Sequence, residues 1–143
     1  MGYRWYNARG IAPLFPFGYG LSYTTFRFGN LRVARGPGRT VAVTADVTNT
    51  GKRAGADVVQ VYVGFPASTG EPPRQLKAFA KVQLAPGQTR RVTFRLDARA
   101  FAHWDAPTAA WVVAPGEYSV ELGDASANLP LRGQVAPVAG RVE

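Results

Sequence analysis

The chain has 143 residues, 46% of them hydrophobic and 18% charged, which excludes a disordered segment and suffices for one domain with its own core. It contains no cysteine, which excludes disulfides, thiolate metal sites and a catalytic thiol. The formal charge of +8 comes from 14 Arg and 3 Lys spread along the chain without a block of five or six, which argues against a nucleic-acid partner.

In chain order, Met1–Tyr6 has no apolar stretch of the kind a signal peptide needs, so none is expected in this segment. A cytoplasmic and a secreted parent protein fit equally. No apolar run approaches the roughly 18 residues of a membrane span, so no membrane partner is expected. Ile11–Tyr23 is apolar and aromatic yet follows neither the helical nor the strand period. Pro13 and Pro16 forbid helix interior and central strand, and Gly18 and Gly20 permit unusual backbone. Such a run should lie on its own sandwich or on a neighbouring domain.

Tyr23–Ala34 reads as extended, with Gly29-Asn30 a bulge that absorbs a slip in the apolar phase. Thr40–Thr50 alternates Val41, Val43, Ala45 and Val47 against Ala42, Thr44, Asp46 and Thr48, the pattern of a half-buried strand. Asn49-Thr50-Gly51 ends it. In Ala56–Phe65 the inward set is Val59, Val61 and Val63, but Val58, Gln60 and Tyr62 are apolar enough that both faces should be covered. Phe65–Gln75 is a Pro- and Gly-rich loop. Gln75–Leu84 then places Leu76, Ala78, Ala80, Val82 and Leu84 on one face.

Ala85-Pro86-Gly87-Gln88 is a turn, and Thr89–Leu96 points Val92, Phe94 and Leu96 inward. Asp97 is placed to cap a single helical turn. Ala102–Ala110, with His103, Trp104 and Asp105, reads as a second loop, and Trp111–Val113 as a short strand. Tyr118, Val120 and Leu122 alternate after a Pro-Gly turn. A final strand over Leu129–Val135 carries Pro130, an edge signal. No segment longer than about one turn reads as helix. The fold class is therefore all-β: an immunoglobulin- or fibronectin type III-like antiparallel β-sandwich of about seven strands with an irregular N-terminal extension. Residues 1–23 form the extension and 24–143 the sandwich. Tyr118, opening a late strand, is positioned to hydrogen-bond back to the preceding corner.

Chemistry is sparse. The nine acids fall mostly at strand ends, turns or outward positions, where solvated charges belong. The single His103, even with Asp105, is too little for a zinc site or a triad, and no nucleophile elbow or phosphate-cradling loop occurs. No catalytic, metal or cofactor residue is expected. The candidate carbohydrate or interface contacts are aromatic: Trp104 with its neighbours His103 and Asp105, Trp5 and Tyr6, and Phe17 and Tyr19 in the apolar run. Stacking rings beside polar groups suit a sugar, and exposed rings equally suit a domain interface.

One stretch is more specific. Leu14-Phe15-Pro16-Phe17-Gly18-Tyr19-Gly20-Leu21-Ser22-Tyr23-Thr24-Thr25-Phe26 resembles the run leading into the C-terminal domain of family 3 glycoside hydrolases. Gly2–Tyr6, Val47–Gly51, Val58–Val63, Pro73–Phe79 and Trp111–Tyr118 are similar to further parts of that region, in the same order. The resemblance implies a fibronectin type III-like module of a β-glucosidase or β-xylosidase, without the catalytic residues. These belong to the family's barrel and α/β domains, which it implies as partners. Plant polysaccharide or lignin is the alternative partner, for a stand-alone binding module.

Overall fold

The alternation in β2 (Val41–Asn49) is reproduced residue by residue in the computed structural model, which describes residues 2–143. Val41, Val43, Ala45 and Val47 are buried and the residues between them are half-exposed. β2 pairs antiparallel with β1 (Phe26–Arg35) and with β5 (Thr89–Leu96), giving a sheet ordered β1-β2-β5. The opposing sheet is ordered β4-β3-β8-β9, from β3 (Gly55–Gly64), β4 (Gln75–Leu84), β8 (Tyr118–Gly123) and β9 (Leu131–Val135). Val43 and Val47, Val59 and Val61, Phe94, Val120 and Leu122 join one core between the two sheets. Burying each such side chain contributes roughly 1.5–3 kcal/mol over leaving it in water. The two sheets hold seven strands, the predicted strand at Trp111–Val113 lies outside them, and the all-β sandwich stands.

Several local expectations hold. The β1–β2 register shifts between Gly29 and Arg32, with Asn30 left-handed at φ 53, so the bulge absorbs the phase slip. Gly87 has φ 73 in the turn before β5, and the Asp97 side chain accepts from the Ala100 N–H to cap a single 3-10 turn, Ala98–Phe101. β9 is the edge strand that Pro130 announces. Tyr118 is buried; its Oη accepts from the Ala114 N–H at 3.0 Å and its O–H donates to the Ala114 carbonyl at 3.3 Å.

Four expectations are corrected. A two-turn helix, α1 (Tyr3–Arg9), stands where no such helix is expected. It is short enough that no apolar stripe develops, and it ends at Gly10, which takes the left-handed conformation. The predicted loop 102–110 contains β6 (His103–Asp105), which pairs with β7 (Ala110–Val113). The chain also continues past β9 into β10 (Gly140–Val142), so Leu129–Val135 is not the last strand. β6, β7 and β10 form a third small sheet, ordered β10-β7-β6.

The last correction concerns Leu76. The β3–β4 register shifts so that Val61 faces Ala78 but Tyr62 faces Leu76, leaving Lys77 unpaired. A one-residue slip turns every later side chain over. Leu76 therefore lies on the outer face with Tyr62, not on the core face with Ala78.

Candidate functional site

The outer face of the four-stranded sheet carries Val58, Gln60 and Tyr62 from β3 and Glu121 opposite Tyr62 on β8. Apart from Val58, which is 37% exposed, these residues are shielded from solvent. Gln60 and Glu121 are buried and Tyr62 is 0% exposed. The N-terminal extension covers them. The Tyr3 ring packs edge-on against Tyr62 with centroids 5.6 Å apart, and Phe17 packs on Tyr3 at 5.3 Å. The Tyr3 hydroxyl accepts from the Leu76 N–H at 2.6 Å. The Ser126 N–H donates to the Phe17 carbonyl at 2.8 Å. The cover expected from the sequence for this second face of β3 is thus supplied at Tyr62 by Tyr3.

A polar row runs beneath the extension. The Tyr62 O–H donates to Gln60 Oε1 at 2.6 Å, and Gln60 Nε2 donates to the Asp124 carbonyl at 2.7 Å. Burial pushes the Tyr62 phenol well above the tyrosine range; the charge of Tyr3 adds to this and Arg74 opposes it, so the hydroxyl stays a donor. Gly18 crosses this row at φ 84. A Cβ there would collide with Gln60 Nε2 and approach the Asp124 carbonyl to 3.0 Å, so only glycine permits the approach. Glu121 is balanced by Arg74 at 3.2 Å and Arg132 at 3.8 Å; the Arg74 contact is an ion pair by distance without hydrogen-bond alignment.

The rest of the extension has no cover. Leu14 is 90% exposed, Leu21 93% and Tyr23 91%, with Phe15, Phe17 and Tyr19 more than half exposed. The Phe15 and Tyr19 rings pack on one another with centroids 5.4 Å apart. Phe79 of β4, 70% exposed, continues the apolar surface across a groove of about 340 Å³ shared with Phe17, Val58 and Leu76. Scattered apolar residues are ordinary on a protein surface, whereas a contiguous group of this kind marks a contact site.

The predicted contact residues separate into two groups. Phe17 and Tyr19 lie in the exposed extension, and Trp5 and Tyr6 lie beside it on α1, edge to face at 5.3 Å. Trp104 lies on β6, directly across from Trp111 of β7, with ring centroids 5.7 Å apart. Its ring is 51% exposed above a cavity of about 470 Å³ that Arg141 also lines. His103 and Asp105 do not act together: Asp105 Oδ2 accepts from the N–H and hydroxyl of Thr108, while His103 Nδ1 is buried without a partner. Among the described residues no three His, Asp or Glu side chains are grouped to hold a metal.

Asp57 was not singled out from the sequence. It falls in the inward phase of β3 with Val59, Val61 and Val63, and an acid in an apolar register is a readable signal. It lines a cavity of about 560 Å³ together with Leu21, Thr24, Lys81 and Asp124. Asp57 Oδ2 is buried there without a partner, whereas Asp124 Oδ1 accepts from Asn128 Nδ2 at 2.6 Å in an exposed hydrogen bond. The two do not form a buried carboxylate pair.

A family model described as "Fibronectin type III-like domain" matches residues 57–126. "Thermostable beta-glucosidase B" of Acetivibrio thermocellus is 41% identical over 94% of this chain and 18% of that protein. "Probable beta-glucosidase D" of Aspergillus niger is 38% identical over 93% of this chain and 20% of its own length. The crystal structure of the GH3 β-glucosidase of Bifidobacterium adolescentis superimposes with a TM-score of 0.91 at 42% identity, over 95% of this chain and 20% of that one. The chain thus spans about one fifth of the relatives it matches. With its two facing antiparallel sheets, the chain carries a fibronectin type III-like domain and, over nearly its whole length, is homologous to the matching fifth of glycoside hydrolase family 3 β-glucosidases.

Proposed function

We propose that this chain is a non-catalytic accessory domain of a β-glucosidase-like enzyme, that it stabilises the multidomain assembly, and that it borders substrate access. The observation that carries this reading is Leu14, Leu21 and Tyr23 standing more than 90% or about 90% exposed on an extension anchored by Tyr3, Phe17 and Gly18. A backbone held this firmly while presenting bare apolar side chains suits a surface that a neighbour covers. Residues 1–23 are the docking extension and 24–143 the sandwich that carries it. The partners are the catalytic barrel and α/β domains. Asp46 in a surface ion pair, Asp97 in a cap and Asp105 in a turn support a non-catalytic role for these acids.

The test is a chimera in which this chain replaces the matching fifth of the Bifidobacterium adolescentis enzyme. The chimera should hydrolyse an aryl β-glucoside and melt several degrees above the same enzyme lacking the region. The 143-residue chain alone should show no hydrolysis.

A second reading, a module for plant polysaccharide or lignin, is favoured by one observation: the half-exposed Trp104 ring beside Arg141. Retention of the chain on insoluble xylan, cellulose or lignin, lost in Trp104→Ala, supports it. Retention that survives this change and disappears with added salt assigns the binding to net charge instead.

A further inference from the structure

An unpaired carboxylate and a bare apolar side chain, Leu21, meet at one cavity. Asp57 Oδ1 accepts only from the adjacent Val58 N–H, at 2.8 Å, and Asp57 Oδ2 is buried with no partner. Ion pairs among the described residues join Arg74 and Arg132 to Glu121, and Arg91 to Asp46; none reaches Asp57. Lys81 lines the same cavity without closing a pair, and Asp124 brings a second negative charge. Leu21 lines this cavity and is 93% exposed, and Tyr23, two residues on, is 91% exposed. Burial pushes the Asp57 carboxyl up, the Val58 N–H pulls it part of the way back, and Asp124 adds to the rise.

We infer that this cavity receives a cationic side chain, Arg or Lys, from the catalytic portion of the enzyme, and that this cation pairs with Asp57 beside Leu21. The inference rests on the accessory-domain reading and names the contact within it. The relatives are about five times as long as this chain, so most of a relative-length enzyme lies outside it and is available to cover the cavity. The charge is complementary at this point: a basic chain of net +8 presents, beside the exposed Leu21, an acid it does not neutralise itself. A cation there meets a partly buried carboxylate, where the attraction is stronger than in open water.

The experiment measures Asp57→Asn in two settings. In the isolated chain the substitution removes an unbalanced buried charge, keeps an acceptor for the Val58 N–H, and should hold or raise the melting temperature. In the chimera described above it strands the incoming cation and should lower the melting temperature by about 3 °C or more. Leu21→Ala should lower it in the chimera alone. Equal shifts of Asp57→Asn in both settings overturn the inference and leave the accessory reading intact. So does a Lys81→Ala variant that reproduces the Asp57→Asn shifts, because Lys81 is then the partner. A chimera no more stable than the enzyme lacking the region overturns the accessory reading and this inference with it.

Discussion

The Tyr3 hydroxyl accepts the Leu76 N–H at 2.6 Å at the residue where β4 changes face. Lys77 bulges out of the β3–β4 ladder there, and Leu76 is the first outward residue beyond the slip. One side chain of α1 thus closes a gap in the sheet's hydrogen bonding and places its ring over Tyr62.

Tyr3→Phe should therefore keep the ring contact and lose the acceptor. The expected cost is about 1 kcal/mol of unfolding free energy in urea titrations. Tyr3→Ala should cost more, about 2–3 kcal/mol, since it also uncovers Tyr62. Equal costs for the two variants would mean that the ring contributes nothing.

Asn49 should be the least replaceable polar residue. It is 0% exposed and uses all of its hydrogen-bonding capacity. Its Oδ1 accepts from the Thr24 hydroxyl at 2.6 Å and the Gly51 N–H at 3.0 Å. Its Nδ2 donates to the Arg53 carbonyl at 2.8 Å and the Leu84 carbonyl at 3.0 Å. Asn49→Ala should cost about 3 kcal/mol, because it strands several buried partners at once. A loss below about 1 kcal/mol would show that water replaces the amide.

Asp46 gives the fold an acid-side pH dependence. Arg91 donates to it at 2.8 and 3.0 Å, and Asn30 at 2.8 Å. The Arg91 and Asn30 hydrogen bonds hold its pKa down from 3.8 to about 2. The folded state then binds the proton less readily than the unfolded chain, so the stabilisation is complete above about pH 4 and lost as pH falls through about 2. Denaturation midpoints of the natural chain and Asp46→Asn should differ at pH 6 and converge between pH 4 and 2. High salt should narrow the difference, since both groups lie at the surface.

Arg39 should control β10. Its guanidinium donates to the carbonyls of Arg141 at 2.7 Å, Val138 at 3.0 Å and Gly140 at 3.2 Å. Its backbone is left-handed at φ 63, a conformation glycine adopts without strain, so Arg39→Gly removes the guanidinium alone. Amide exchange in β10 should accelerate at least tenfold while protection in β2 and β3 is unchanged. Unchanged exchange in β10 would mean that its pairing with β7 suffices.

The site was partly legible in the sequence. Phe17 and Tyr19 stand out because prolines and glycines leave their apolar run without a period, and Trp104 because an aromatic ring flanked by His103 and Asp105 is conspicuous. The sequence marks Gly18 for its backbone freedom but not Tyr3, and neither partner, Gln60 for Gly18 and Tyr62 for Tyr3, is legible because each lies more than forty residues away in the chain. Trp104 was placed on a loop because three residues carry too little periodicity to mark a strand; its pairing with Trp111 makes it one.

The sequence by itself determined the inward set of β2, β3 and β5, the turn at Gly87, the bulge at Asn30 and the corner at Tyr118. Each of these follows from neighbours along the chain: the two-residue period of a strand, the left-handed freedom of Gly and Asn, the reach of a hydroxyl to a residue four positions back. Only the tertiary structure decided that Leu76 faces outward, that Tyr62 lies beneath Tyr3, that a third sheet forms, and that Asp57 has no cation. Those outcomes depend on which distant strand supplies the register and which distant side chain supplies the charge, and local periodicity carries no record of either.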